Sequence, residues 1–548
     1  MTAQSPGADA PKPPNTIKID GREIPFEPGE TIIKAAHRAG IDIPHYCWHP
    51  GLTVAANCRM CLVELAPPPG RPAMKLDILR WDPQVKDYVL DNKPKLQPAC
   101  QQACAPGMEV LSDSSENVAE ARSAVQELLL LNHPVDCPIC DQAGECRLQD
   151  YWLEHQRKGK RMKQEIVHKP KAVSFGPTIV YDAERCIVCT RCVRFTEEVA
   201  KDPVLSVRER GNLNEITVSP GRELDNDYTL MTEHVCPVGA LTSKDFRFKA
   251  RVWFLRSART ICQGCATGCN AYLDFDPRSN TPHRHRPREN MEVNKYWMCD
   301  EGMLSYKAAV ENRLLEARVG GDESSVDDAI EAAKDLFAGH GQKTDKIAIV
   351  LSAQHSLEDN FALYTLAKTF MGIDAFFVTG KPLGKGDDIL MSEDKNPNTS
   401  GVMKLAGATP PKPLAELAAS GDRFDFVLAL GAEAELEPAE VASALKGKKV
   451  VTVAAHRGPL TSAAKVALPA CAWAEVDGTF VNKSGKVQVS ERALLARGSA
   501  LPGWLLVAKL GRALGYAVPW KKLSEVRRAM AGEPVVGVAE KKESEARP

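Results

Sequence analysis

Apolar and polar positions alternate over Thr16–Asp20 and again over Arg22–Phe26, and Asp20-Gly21 stands between them, so the chain is predicted to open with a hairpin. Pro28-Gly29-Glu30-Thr31 supplies a helix start with Thr31 as cap. Ile32, Ile33, Ala36 and Ala39 follow at helical spacing, and Gly40 ends the segment. Hairpin, helix and then a cysteine-bearing loop is the opening of a small β-grasp module. Val118, Val125, Leu128 and Leu129 predict one face of a second helix over 116–131, broken at Asn132-His133-Pro134. Beyond residue 310 the texture changes. Strand-like Lys346–Leu351, Phe424–Leu430 and Lys449–Val453 alternate with helical stretches such as Asp359–Thr369, which predicts a parallel α/β layer. That region holds no Gly-rich phosphate loop of the dinucleotide or P-loop form.

Length adds that 548 residues, 44% hydrophobic and 26% charged, are too many for one core, so several domains are expected. Lys+Arg 70 against Asp+Glu 71 leaves a net charge of −1, and this balance does not call for a nucleic acid or an acidic membrane surface as partner. Residues 1–15, with four prolines and no apolar stretch, read as a disordered leader and not as a secretory signal. No apolar run is long enough to span a membrane. Glu154–Lys171 reads as a basic linker or solvated face, and the mixed-charge stretch from Pro519 as a loosely held tail.

Cysteine changes the picture most. Of 17 cysteines, 16 precede residue 300 and only Cys471 follows. In a reducing compartment, closely spaced cysteines read as metal ligands or redox groups before they read as disulfides. Four groups emerge. Cys47, Cys58 and Cys61 lie on one stretch with Cys100 further on, three thiolates plus a distant fourth, as in [2Fe–2S] ligation of the plant-ferredoxin kind; Cys104 competes with Cys100, and spacing does not decide between them. His133, Cys137, Cys140 and Cys146 form a set of three thiols and one imidazole that, standing alone, would also suit structural zinc. Cys186, Cys189 and Cys192, spaced two apart, with Cys236-Pro237 later, carry the most specific signal, because such a run wraps one corner of a [4Fe–4S] cubane. Cys262, Cys265 and Cys269 with Cys299 make the fourth set, again with zinc as the alternative.

Fifteen cysteines and His133 make sixteen ligands, four complete sets, and leave only Cys104 and Cys471 over. Cys471 reads as a small buried apolar residue. His283 and His285 have no cysteine at ligand spacing and read as surface residues. Several clusters without a substrate-site signature describe an electron wire, in which the protein sets spacing and potential. Neutral His133 in place of a thiolate removes one negative charge and favours the reduced state of its cluster. With no flavin or nicotinamide fingerprint, electrons must enter from and leave to other polypeptides.

The order of these motifs resembles the large iron–sulfur subunit of bacterial respiratory complex I, strongly over residues 17 to about 310. Leu131-Asn132-His133-Pro134-Val135-Asp136-Cys137-Pro138 and His234-Val235-Cys236-Pro237-Val238-Gly239-Ala240-Leu241 are similar to that family's segments. In the family the fourth binuclear ligand lies in a segment like Pro98-Ala99-Cys100, which favours Cys100 over Cys104. The resemblance implies a multidomain α+β and α/β chain. Its parts are a [2Fe–2S] ferredoxin-type β-grasp domain at 16–112, a [4Fe–4S] domain with one histidine ligand and a basic linker at 113–172, a ferredoxin-like [4Fe–4S] domain at 173–250, and a molybdopterin-oxidoreductase-type [4Fe–4S] domain at 251–312. A truncated molybdopterin-oxidoreductase-like α/β domain at 313–518 and a tail at 519–548 complete it. Ala467–Glu475 followed by Gly478–Asn482 is similar to a segment of that last fold, but the region is too short for a complete pterin-binding body and no cysteine lies between 300 and 470.

The resemblance further implies one [2Fe–2S] and three [4Fe–4S] clusters with no molybdenum cofactor. It implies a subunit of a proton-translocating NADH:quinone reductase with no substrate site of its own, the Cys262 cluster lying off the main electron path. The implied partners are the flavin/NADH-binding subunit, a downstream iron–sulfur subunit and other peripheral-arm subunits, with no nucleic acid and no direct membrane span. The implied location is peripheral, on the cytoplasmic side of the bacterial inner membrane. The competing readings are an electron-transfer subunit of a formate-dehydrogenase-like molybdoenzyme, the electron-input arm of an iron hydrogenase or NAD-reducing hydrogenase, and a zinc-stabilised scaffold.

Overall fold

The computed structural model describes residues 15–67, 72, 74–340 and 344–533, so all of the expected leader except Asn15 lies outside the described residues. The chain divides between Val252 and Trp253 into two compact units. Three of the four cysteine modules share the first unit, and the fourth shares the second with the α/β layer, a coarser partition than the sequence motifs suggest.

The first unit opens as its pattern predicts, with strands Thr16–Ile19 and Arg22–Pro25 and the helix Ile32–Arg38. Thr31 holds the cap position in an extended conformation, but its side chain makes no capping bond. The sheet order is Arg22–Pro25, Thr16–Ile19, Glu109–Leu111, Leu62–Leu65, Gln97–Pro98, with Thr16–Ile19 parallel to Glu109–Leu111, the crossover of a β-grasp. Ile17, Ile19, Ile24, Ile32, Ile33, Val63 and Val110 fill the core beneath it. Full burial of each large side chain there contributes about 1.5–3 kcal/mol. The long interval between Cys61 and Cys100 contains a two-stranded ribbon, Lys75–Asp82 paired with Asp87–Pro94.

The second predicted helix is present as Glu116–Leu130, capped by the Ser115 hydroxyl, which accepts from Val118 N. Its buried face matches the predicted one only at Val118. Val118, Arg122 and Gln126 point inward, while Leu128 is 67% exposed. Arg122 is held inside by Asp113 and the Ser112 hydroxyl at 2.6 and 2.7 Å, and Gln126 accepts from Tyr46 and donates to Leu148 O. Polar side chains with buried partners outcompete leucines here, which no hydrophobic period reveals. The stretch after it carries the expected exposed basic residues, but its end is tied in, since Lys171 pairs with Asp136, Asp182 and Glu184.

The second unit begins with an antiparallel sheet, Arg256–Ile261, Asn270–Asp276 and Thr281–Pro287. The α/β layer is an eight-stranded sheet in the order Asp322–Ser324, Ala317–Val319, Val466–Pro469, Lys449–Ala454, Phe426–Leu430, Ile347–Ser352, Phe376–Thr379, Lys412–Pro413. Pairings from Val466–Pro469 onward are parallel, as predicted. The helix Leu357–Thr365 continues as a wider π turn over Leu366–Met371. The tail expected from Pro519 is instead packed as far as Met530: Leu523–Met530 is a helix, and Trp520 and Val526 are buried against the main core.

Candidate metal centres

In the first cysteine set the thiols of Cys47 and Cys58 hydrogen-bond each other, as do those of Cys61 and Cys100, and the two pairs are electrostatic neighbours. Hydrogen bonding to Cys58 draws the Cys47 thiol down, while the bond to Cys47 raises Cys58. Ala56 and Arg59, on either side of Cys58, take left-handed backbone conformations that curl the loop. Cys104 stands apart from this group. Its charged neighbours are Glu30 and Arg38, and burial pushes it up to about 11.

The second set gathers Cys137, Cys140 and Cys146 as mutual neighbours. His133 is pushed down to about 4 by burial, so the ring is neutral at ordinary pH. Val135 N donates to its Nδ1 at 3.1 Å, which leaves Nε2 as the nitrogen open to a metal. Arg185 is an electrostatic neighbour of both His133 and Cys140. Val135 holds this turn with φ 53°, a strained value for a β-branched residue.

Cys186, Cys189, Cys192 and Cys236 form a third group, in which burial pushes Cys186, Cys189 and Cys236 up to about 11 and raises Cys192 well above its ordinary value. Metal binding must displace those protons. Val188 N donates to Cys186 Sγ at 3.3 Å, and the Tyr181 hydroxyl hydrogen-bonds the same sulfur. Two buried arginines join this group to the first. Arg194 donates to the carbonyls of Cys47, Cys189 and Thr53, and Arg191 to those of Trp48 and Val235. Gly239, three residues past Cys236, packs against the second set so closely that a Cβ there would lie 2.4 Å from Cys140 Sγ.

In the second unit Cys262, Cys265 and Cys269 turn between the first two strands of the antiparallel sheet, and Cys299 caps the helix Asp300–Leu304. All four line one enclosed cavity with Gly264 and Gly302. Gly264 N donates to Cys262 Sγ and Gly302 N to Cys299 Sγ, both at 3.4 Å, and the Ser305 hydroxyl lies 3.8 Å from Cys262 Sγ. Gly302 packs closely here, since a Cβ would lie 3.2 Å from Cys262 Sγ. Burial pushes Cys262 up to about 12. His285, expected at the surface, is 1% exposed behind this set, with Nε2 on the Thr260 hydroxyl at 2.8 Å and Nδ1 near Gly302 O and Ser305; His283 is half-buried. Cys471 is buried as expected and pushed up to about 12 by burial.

The structure therefore brings together the thiols of each predicted set. Thiol donors, inward N–H groups and glycine cradles suit iron–sulfur clusters. Among the described residues no three His, Cys, Asp or Glu side chains are arranged to hold a single metal ion. Arg191, Arg194, Tyr181, Gly239 and Ser305 belong to no ligand motif; the one local signal was Arg191 next to Cys192, with Arg194 two residues beyond it.

Four family models match the chain: a 2Fe-2S iron-sulfur cluster binding domain over 12–115, the NADH-ubiquinone oxidoreductase-G iron-sulfur binding region over 122–161, the NADH-quinone oxidoreductase subunit 3 ferredoxin-like domain over 176–242, and molybdopterin oxidoreductase over 328–513. The NADH-quinone oxidoreductase G subunit of Streptomyces coelicolor is 31% identical over 519 residues, covering 88% of this chain and 56% of that protein. The chain belongs to the family of NADH-quinone oxidoreductase G subunits. Within that family, the Rickettsia conorii protein is 34% identical over 354 residues, 64% of this chain and 48% of that one. The mitochondrial NADH dehydrogenase (ubiquinone) iron-sulfur protein 1 of Solanum tuberosum is 32% identical over 404 residues, 72% and 50%. The chain spans about half the length of these relatives. A solved chain of NAD+-reducing [NiFe]-hydrogenase is 28% identical, covering 43% of this chain and 91% of that one, with a TM-score of 0.35. No helix among the described residues is long and apolar enough to cross a membrane.

Proposed function

We propose that the chain is the iron–sulfur electron-transfer subunit of an NADH–quinone oxidoreductase, carrying electrons from a flavin/NADH-binding subunit toward quinone. The observation that carries this reading is the grouping of fifteen cysteines in four buried or half-buried sets, three of them in one compact unit whose members are tied to each other. Cys47, Cys58, Cys61 and Cys100 would hold a [2Fe–2S] cluster. His133 with Cys137, Cys140 and Cys146, then Cys186, Cys189, Cys192 and Cys236, then Cys262, Cys265, Cys269 and Cys299, would each hold a [4Fe–4S] cluster. Bound clusters supply one-electron redox centres.

The chain's own residues set the conditions for that chemistry. Arg191 and Arg194 place buried positive charge between the first and third sets, which stabilises an added electron on either. N–H donors on Cys186, Cys262 and Cys299 act in the same direction. The partners are the flavin subunit, a downstream iron–sulfur subunit and other peripheral-arm subunits, at the cytoplasmic face of the bacterial inner membrane. NADH added anaerobically to the complex purified through a tag on this chain tests the reading. The flavin subunit should co-purify and NADH should bleach the chain's visible absorption; co-purification with a formate-oxidising subunit and no bleaching by NADH would count against it.

A further inference from the structure

His285 stands behind the fourth cysteine set and reaches both stretches of chain that carry its thiols. Nε2 lies 2.8 Å from the hydroxyl of Thr260, which shortly precedes Cys262, and Nδ1 lies 3.3 Å from both Gly302 O and Ser305 Oγ, which shortly follow Cys299. The ring is tilted against the Trp473 indole with centroids 5.6 Å apart. Burial draws it down to about 4, so it is neutral at ordinary pH.

These partners decide which nitrogen carries the hydrogen. Gly302 O can only accept, so Nδ1 is the N–H and Nε2 accepts from the Thr260 hydroxyl. The Ser305 hydroxyl donates to that same carbonyl at 2.7 Å and lies 3.8 Å from Cys262 Sγ. Gly302 O therefore has donors to spare, namely Ser305 N, the Ser305 hydroxyl and His285 Nδ1. A hydroxyl hydrogen rotates to suit its acceptor, and a thiolate sulfur draws it more strongly than a carbonyl that keeps two other donors.

We propose that His285 is a positioning residue for the fourth set: its Nδ1–H, held on Ser305 Oγ and Gly302 O, frees the Ser305 hydroxyl to donate to Cys262 Sγ when that sulfur is a ligand, which favours the reduced state of the bound cluster. Gly264 N already donates to the same sulfur at 3.4 Å, so the hydroxyl is its second donor. The inference rests on the reading of Cys262, Cys265, Cys269 and Cys299 as cluster ligands.

Anaerobic redox titration of the full chain, followed through the tetranuclear EPR signal that Cys265→Ala removes, tests it. Ser305→Ala disfavours reduction roughly tenfold, a midpoint lower by about 59 mV for one electron, with iron content unchanged. His285→Gln, whose amide reaches Thr260 but not Ser305, lowers the midpoint similarly, and His285→Asn, whose amide nitrogen falls where Nδ1 stood, restores most of it. Combining Ser305→Ala with His285→Gln shifts the midpoint no further than Ser305→Ala alone, whereas a histidine with a merely structural role would add a shift of its own. A midpoint unmoved by Ser305→Ala, or shifts that add, overturns the proposal and leaves the cluster reading standing. A parent chain in which Cys265→Ala removes neither iron nor any EPR signal overturns the cluster reading and the proposal with it.

Discussion

Arg194 Nη2 donates to the carbonyl of Cys47 at 2.6 Å, and the same nitrogen reaches the carbonyl of Cys189 at 3.3 Å. One guanidinium thus ties a residue of the first cysteine set to a residue of the third. The planar fork matters as much as the charge, because a lysine ammonium cannot serve carbonyls in several directions with fixed geometry. Arg194→Lys is expected to leave iron in both sets while loosening their relative placement. Power saturation of the binuclear EPR signal measures this: weaker magnetic coupling to the neighbouring centre is expected, and unchanged coupling contradicts the bridging role.

Gly239 is the corresponding contact between the third and second sets. A Cβ there would lie 2.4 Å from Cys140 Sγ and 3.0 Å from Gln142 Cβ, so Gly239→Ala must push Cys140 out of position. Iron content should fall by about four per chain, the complement of one cubane. Retention of all the iron would show that the glycine is not needed for the His133 set.

Arg313 is almost completely buried in the second unit, and Glu475 pairs with it at 2.7 and 2.8 Å. The remaining donors go to the carbonyls of Ala309, Ala455 and Ala470, so the guanidinium is fully satisfied. Removing one partner leaves the other charge buried and unpaired. Glu475→Ala should destabilise this unit by about 3–5 kcal/mol, read from urea unfolding.

Acid should weaken the second unit through Asp274. Burial alone would raise its carboxyl, but Arg286 and Arg284, with the Ser257 hydroxyl, more than offset this and hold it at about 2. A carboxylate lowered in the folded state contributes stability that is full above its unfolded value of about 4 and is lost as pH falls toward 2. The contribution is about 2–3 kcal/mol. Urea midpoints of the metal-free chain and of Asp274→Asn should therefore converge between pH 4 and 2; a constant gap across that window contradicts the assignment.

Ligand spacing is local, so the cysteine sets were legible residue by residue, and so were the opening hairpin and helix and the parallel layer. The long-range partners were not. Arg191 and Arg194 flank Cys192 on a short helix and read locally as surface positions, yet their acceptors at Trp48 and Cys47 lie more than a hundred residues away. The same holds for Arg122 and Gln126, whose buried bonds turned the helix away from the face its leucines suggest. His285 looked like part of a basic surface segment, but the strand Thr281–Pro287 turns it inward, onto Gly302 and Ser305 beside the Cys262 set. At the other end of the chain, Trp520 and Val526 anchor a charged segment that composition alone marked as loose.

Metal and sulfide analysis of the anaerobically purified chain, with EPR of the dithionite-reduced protein, tests the central claim most directly. About fourteen iron atoms per chain are expected, two plus three fours, with the signal of a binuclear centre among tetranuclear ones. A colourless protein carrying about four zinc ions and no iron would contradict it.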